Sequence, residues 1–183
     1  MKTLMLYTVG HGNRSIEDLM ALLLSAGVDT LVDVRAQPRS QHNPQFNLEA
    51  LRTSCEHARI VYHWAGRQLG GGRSHRPDSP HVALEEARRG FADYMDTDAF
   101  LQGVAQLQHL AALGVCAILC SEHEPVRCHR ALMADYLILH GARVVHLLAP
   151  GETQEHMLSS EARRESGTLV YDRQVTGKLA GGK

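Results

Sequence analysis

Short apolar runs alternate along the chain with stretches whose apolar positions recur every three to four residues. Residues 4–9, 30–34, 60–63, 115–120 and 143–148 are runs of nearly continuous apolar character. Such runs predict strands buried on both faces, because a half-exposed strand would alternate polar and apolar residues. Between them lie helical patterns. Ser15 with Asp18 three residues on predicts a helix start, Ile16, Leu19, Met20 and Leu23 form its apolar stripe, and Gly27 ends it. Further helices are predicted over 48–58, 85–95, 98–112 (capped by Thr97) and 128–140 (closed by Gly141). Residues 35–47 are polar, with Pro38 and Pro44, and residues 66–80 read as loop, with three consecutive glycines and two prolines. The tail is expected to hold a short helix over 154–164 and an edge strand over 168–172.

Alternating strands and helices imply an α/β fold. The expectation is a single domain over 1–183 with a mostly parallel sheet of about five strands, helices on both faces and a Rossmann-like or rhodanese-like three-layer architecture. The tail, 151–183, then packs on this domain or is partly mobile. In open parallel sheets ligands bind outside the carboxyl ends of the strands. His11 and Asn13 follow the first strand, Arg35 the second, His63 the third, and residues 122–130 the fourth. Their convergence at one edge predicts a site.

Composition narrows the partners. The net charge of −1 over 183 residues excludes a globally basic nucleic-acid binder, and 44% hydrophobic against 21% charged residues excludes wholesale disorder. Lysine is confined to Lys2, Lys178 and Lys183, so almost all positive charge is arginine, which suits planar recognition of carboxylate or phosphate. The start carries no secretion-signal pattern and no apolar run is long enough for a membrane span. A cytoplasmic protein with reduced thiols at Cys55, Cys116, Cys120 and Cys128 is expected.

Three motifs carry chemistry. GHGNRS, residues 10–15, half-matches the dinucleotide fingerprint, with Ser15 where the third glycine belongs. Asp33 lies inside its strand and His11, Asn13 and Arg14 crowd the turn, so a Gly-rich turn with a helix cap is the plainer reading. In VDVR, Asp33 and Arg35 share one side of a strand: a structural ion pair, or an acid that orients Arg35 toward an anion. In CSEHEPVRCHR, Cys120 ends a strand and Cys128 opens a helix, where the helix dipole is expected to favour a Cys128 thiolate. His129 and Arg130 add positive charge, and Arg130 at a helix start wants an anion partner. As a zinc site, Cys120, Cys128 and His129 with His11 match no short ligand spacing, so no metal is assigned. As a phosphatase cradle the loop fails, since six residues separate Cys120 from Arg127 and Pro125 has no N–H.

TVGHGNRS, LVDVRAQPRSQHNPQFN, YHWAGRQLGG and CSEHEPVRCHR together resemble the domain-of-unknown-function family numbered 488, from Tyr7 to about Leu148. The resemblance implies a compact α/β domain and brings no established activity. The pattern is looser at Ala36, Gln37 and Gln41.

These readings converge on a small anionic or nucleotide-like ligand at the carboxyl edge. Arg35, Arg39, Arg130, Asn13 and His129 would bind it, with Asp33 as support. His11 and Glu122 are the acid–base candidates and Cys120 and Cys128 the nucleophile candidates of a transferase or hydrolase. The cofactor is unknown. The alternative is a nucleic-acid-binding module using the Arg-rich region 35–89, where Phe46, Tyr62 and Trp64 are interleaved.

Overall fold

The computed structural model describes residues 3–174. Five strands, β1 (Met5–Gly10), β2 (Thr30–Asp33), β3 (Val61–Trp64), β4 (Cys116–Cys120) and β5 (Arg143–Ala149), are parallel where they pair, and β6 (Glu152–Glu155) adds antiparallel to β5. The order is β3-β2-β4-β1-β5-β6, six strands rather than about five. Helices α1 (Ile16–Ser25), α2 (Leu48–His57), α3 (Gly66–Leu69), α4 (Glu86–Tyr94), α5 (Asp98–Leu113) and α6 (His129–Leu139) connect them.

Alternation along the strands sends side chains to two separate cores. Leu31, Ala117 and Leu119 pack with Leu19, Leu22 and Leu51 of α1 and α2. Val32 and Ile118 face the other way, onto Phe91, Phe100, Leu107 and Leu132 of α4, α5 and α6. That is the three-layer α/β arrangement. The predicted caps form: Ser15 accepts from the Asp18 amide and Thr97 from the Phe100 amide.

Two expectations change. Residues 66–80 are not all loop, because residues 66–69 wind into α3. A Cβ on Gly66 would stand 2.1 Å from the Arg35 carbonyl oxygen, so this helix packs tightly on the exit of β2. The predicted tail helix over 154–164 is replaced by β6 and by β7 (Ala162–Glu165). The segment has no apolar stripe of helical period, and β6 satisfies the backbone of the β5 edge. Ser166 and Gly167, both with positive φ, then turn β7 into β8 (Thr168–Tyr171), which is the predicted edge strand. Val170 and Tyr171 are buried, so this ribbon packs on the domain; residues 175–183, with Lys178 and Lys183, lie outside the described residues, as does Lys2.

The strand order matters most for function. β2, β4 and β1 are neighbours, so the segments leaving their carboxyl ends emerge side by side. His63 stands inside β3, opposite Val32, and does not reach that edge.

Candidate functional site

The three exits frame a cleft of about 830 Å³. The turn after β1 is pinned to the exit of β4, since the amides of His11 and Gly12 donate to the carbonyls of Cys120 and Ser121 at 3.0 and 2.9 Å. Gly10 is required here. A Cβ at this position would lie 1.8 Å from the Glu122 carbonyl oxygen. Gly10→Ala is therefore expected to push the segment after β4 outward and to cost roughly 1–3 kcal/mol, read by urea denaturation. A wild-type midpoint would contradict this packing.

Asp33 and Arg35 form the buried pair expected from VDVR. The Arg35 Nε and Nη2 donate to the two Asp33 oxygens at 2.9 and 2.6 Å. The Tyr62 hydroxyl donates to Asp33 at 2.6 Å and Arg35 Nη2 also reaches the Phe46 carbonyl at 2.8 Å. The planar fork is thus occupied by Asp33, leaving Nη1 to face His11 Nε2 at 3.3 Å. His11 Nδ1 lies 2.8 Å from the Gly12 carbonyl, which places its proton there and leaves the Nε2 lone pair toward Arg35. Burial, with the Arg35 charge adding to it, lowers the His11 pKa, so the ring is neutral; it stacks on Phe46 at 4.3 Å.

Opposite this pair stand the thiols. Cys128 caps α6, its sulfur accepting from the Arg130 amide at 3.4 Å, and its S–H donates to Cys120 Sγ at 2.9 Å. His129 Nδ1 lies 3.6 Å from Cys128 Sγ and 4.0 Å from Cys120 Sγ. Its Nε2 meets the Leu69 carbonyl at 3.1 Å, so the Nε2–H form leaves Nδ1 bare beside the sulfurs. The hydrogen bond from Cys128, helped by the Arg130 charge, holds Cys120 well below the usual thiol range, whereas giving that bond, together with burial, pushes Cys128 up. The anionic form expected of Cys128 at the helix N-terminus is therefore favoured on Cys120 instead.

Arg130 accounts for that charge. It is 1% exposed, its Nη2 donates to the Glu122 and His123 carbonyls at 2.9 and 3.2 Å, and its Nε has no partner. No carboxylate pairs with it among the described residues. A buried guanidinium needs a counter-charge, and Cys120, whose pKa the Arg130 charge helps to lower, is the group that would supply one in its ionised form. Arg130 does not line the cleft as expected; it underpins the loop after β4 from behind.

Cys120, Cys128 and His129 offer three ligand atoms within 4.8 Å and are the residues that could hold a soft metal ion. Two features oppose it. The sulfurs are 2.9 Å apart, closer than two ligands on one ion, and a divalent ion on two thiolates would leave Arg130 uncompensated.

The cleft thus gathers His11, Asn13, Arg35, Arg39, Cys120, Glu122, Cys128 and His129, with Asp33 beneath. The Asn13 side-chain oxygen accepts from Asn43 at 3.1 Å, tying the β1 turn to the segment after β2. Arg88 and Arg127 also line the cleft. Neither is among the expected site residues: Arg88 falls in the Arg-rich region 35–89 and Arg127 enters only the phosphatase-cradle comparison, and nothing local distinguishes them from ordinary surface arginines. Sequence reading also missed a buried polar chain behind the site: Thr8, His146, His156, Asp135 and Tyr171. The signal was present, since His146 and Asp135 interrupt otherwise apolar runs.

The family model described as Domain of unknown function DUF488 matches residues 15–137. No curated protein and no solved structure matches the chain.

Proposed function

The chain belongs to the family Domain of unknown function DUF488, a membership that brings no reaction with it, and we propose that the cleft is a thiol-dependent site for a small anionic ligand. The observation that carries this reading is the pair of thiols, Cys120 and Cys128, 2.9 Å apart on the wall of an arginine-rimmed cleft with the buried Arg130 behind them. Arg39 stands on the rim beside Arg88 and Arg127, which also pair with Glu85 and Glu124, and draws an anion in, while Cys120 is the nucleophile that meets it. His11 and Glu122 line the same cleft as acid–base groups. His11 offers its Nε2 only when Arg35 Nη1 turns aside. Group transfer or hydrolysis through a cysteine-bound intermediate is the matching reaction class. A reactive thiolate also fits a reducing compartment, hence the cytoplasm.

The nucleic-acid reading has less support. Between residues 35 and 89 several arginines outside the cleft are turned to the protein's own groups: Arg52 pairs with Glu49, and Arg76 with Asp93 and Asp96. Arg73 lies 3.4 Å over the Tyr94 ring and donates to the Gly70 and Arg67 carbonyls.

Alkylation tests the proposal. Cys120 is expected to react with the iodoacetate anion at least tenfold faster than Cys128, Cys55 or Cys116, by mass spectrometry after brief exposure. Burial pushes Cys55 and Cys116 up to about 12, so they stay unlabelled. Phosphate or sulfate should protect Cys120 more than chloride at equal ionic strength, and Arg39→Ala with Arg88→Ala should weaken that protection severalfold. Labelling spread equally over the thiols, or indifferent to phosphate, would remove the proposal. Graded, salt-steep binding of RNA or DNA would replace it with the nucleic-acid reading.

A further inference from the structure

We propose that Cys120 and Cys128 form a redox-active dithiol that reduces a small anionic disulfide, with Cys120 attacking and Cys128 resolving. The inference rests on the reading of Cys120 as the nucleophile of this cleft, names a substrate class, and puts thiol–disulfide exchange in place of acyl or phosphoryl transfer and hydrolysis.

Its basis is the second thiol. Cys128 Sγ lies 2.9 Å from Cys120 Sγ, and both line the same cleft. An acyl or phosphoryl group on Cys120 would be electrophilic at carbon or phosphorus, where a neighbouring thiol has no role. A group bound through a sulfur–sulfur bond leaves Cys120 Sγ itself electrophilic, and that atom is the one Cys128 reaches. The two sulfurs come from different elements, Cys120 from the end of β4 and Cys128 from the cap of α6. The fold brings them together across the loop between. Cys55 and Cys116 are buried and do not line the cleft. The size and charge of the cleft select the oxidant. A hydroperoxide needs room for a few atoms, whereas about 830 Å³ rimmed by Arg39, Arg88 and Arg127 suits an anionic disulfide of small-peptide size.

The steps balance. The Cys120 thiolate attacks one sulfur of the substrate disulfide; that S–S bond breaks, a Cys120–substrate disulfide forms, and one substrate thiolate leaves. Cys128 then passes its proton to His129 Nδ1, bare and 3.6 Å away, and attacks Cys120 Sγ. The mixed disulfide breaks, the Cys120–Cys128 disulfide forms, and the second substrate thiolate leaves, taking up the proton that His129 received. Two electrons pass from the protein sulfurs to the substrate. A dithiol reductant reverses the closure and restores the pair. Arg130 favours that return, because closing the disulfide removes the thiolate that compensates its buried charge.

The experiment exposes reduced protein to glutathione disulfide in stoichiometric amount without oxygen and reads products by intact mass and peptide mapping. Wild type is expected to close Cys120–Cys128 and release two glutathione molecules per chain. Cys128→Ser, which keeps a good helix cap, is expected to stop at one glutathionyl adduct on Cys120. Cys120→Ser should lose both outcomes by at least tenfold in rate. A stable adduct on Cys120 in wild type, unresolved by Cys128, would overturn the dithiol inference while leaving Cys120 as the nucleophile. Closure by hydrogen peroxide but not by glutathione disulfide would overturn the substrate class. A divalent ion held by both sulfurs in the purified protein would overturn the redox role altogether. An unreactive Cys120 would remove this inference and the proposed function together.

Discussion

Asp33→Ala is expected to destabilise the protein by about 3–5 kcal/mol, the cost of leaving a buried charge without its partner. Asp33 is fully buried and serves four donors: the Arg35 amide, Nε and Nη2, and the Tyr62 hydroxyl. Removing it strands the Arg35 guanidinium and the Tyr62 hydroxyl in a site where water does not replace the carboxylate. A buried ion pair is seldom worth much against apolar residues of the same size, so the double variant Asp33→Leu, Arg35→Met should recover part of the loss. Urea denaturation of the single and double variants measures both. Asp33→Ala within about 1 kcal/mol of wild type would mean that Arg35 finds another anion or solvent, against its burial. The pair also bears on the cleft. Arg35 reaches His11 only because Asp33 holds the other edge of the fork, so an Arg35 set loose should also change the accessibility of Cys120 on the facing wall.

How much of this was legible in the sequence follows from the range of each signal. The parallel sheet and its helices came from periodicity and caps, which are local, and every central strand and long helix lies where residues such as Leu31, Leu119, Ser15 and Thr97 place it. The tail was misread because a short polar segment has no strong period of its own, and β6 exists through pairing with β5. The site's location was legible because the carboxyl ends of β1, β2 and β4 had to fall together once the sheet was parallel. The roles of the charged groups were not. A helix N-terminus by itself favours a Cys128 thiolate, but Cys128 is a donor to Cys120 and Arg130 lies behind both, and no spacing rule encodes that three-body arrangement. Asp33 and Arg35 were readable as a pair, while the turning of the whole fork onto Asp33 depended on Tyr62 and Phe46 arriving from elsewhere in the chain.

Acid is expected to unfold this protein through a histidine that no sequence rule singled out. His146 projects from β5 into the buried polar chain: Thr8 Oγ1 lies 2.6 Å from its Nδ1, His156 Nδ1 lies 2.9 Å from its Nε2, and His156 Nε2 in turn meets Asp135 at 2.8 Å. The consistent proton arrangement has Thr8 donating to His146, His146 to His156 and His156 to Asp135. A second proton on His146 would have to stand on the nitrogen that Thr8 occupies. Burial, the neighbouring His156 and the Arg130 charge all oppose it, against the weaker pull of Asp135, and its pKa falls to about 3. In the unfolded chain the same ring titrates near 6.5. Between these values the unfolded state binds a proton that the folded state refuses, so stability is complete above about pH 6.5 and is lost as pH falls toward 3. The loss from one such group approaches about 1.4 kcal/mol for each pH unit. His11 and His81, both lowered by burial, act in the same direction. The window from pH 6.5 to 5 separates these histidines from the carboxylates, which titrate lower. Melting temperature should therefore fall steadily across that window, and His146→Gln, which can still accept from Thr8, should reduce the slope by close to one proton even though the variant starts less stable. A wild-type melting temperature that is flat from pH 7 to 5, or a His146→Gln slope equal to wild type, would show that this ring takes its proton in the folded protein.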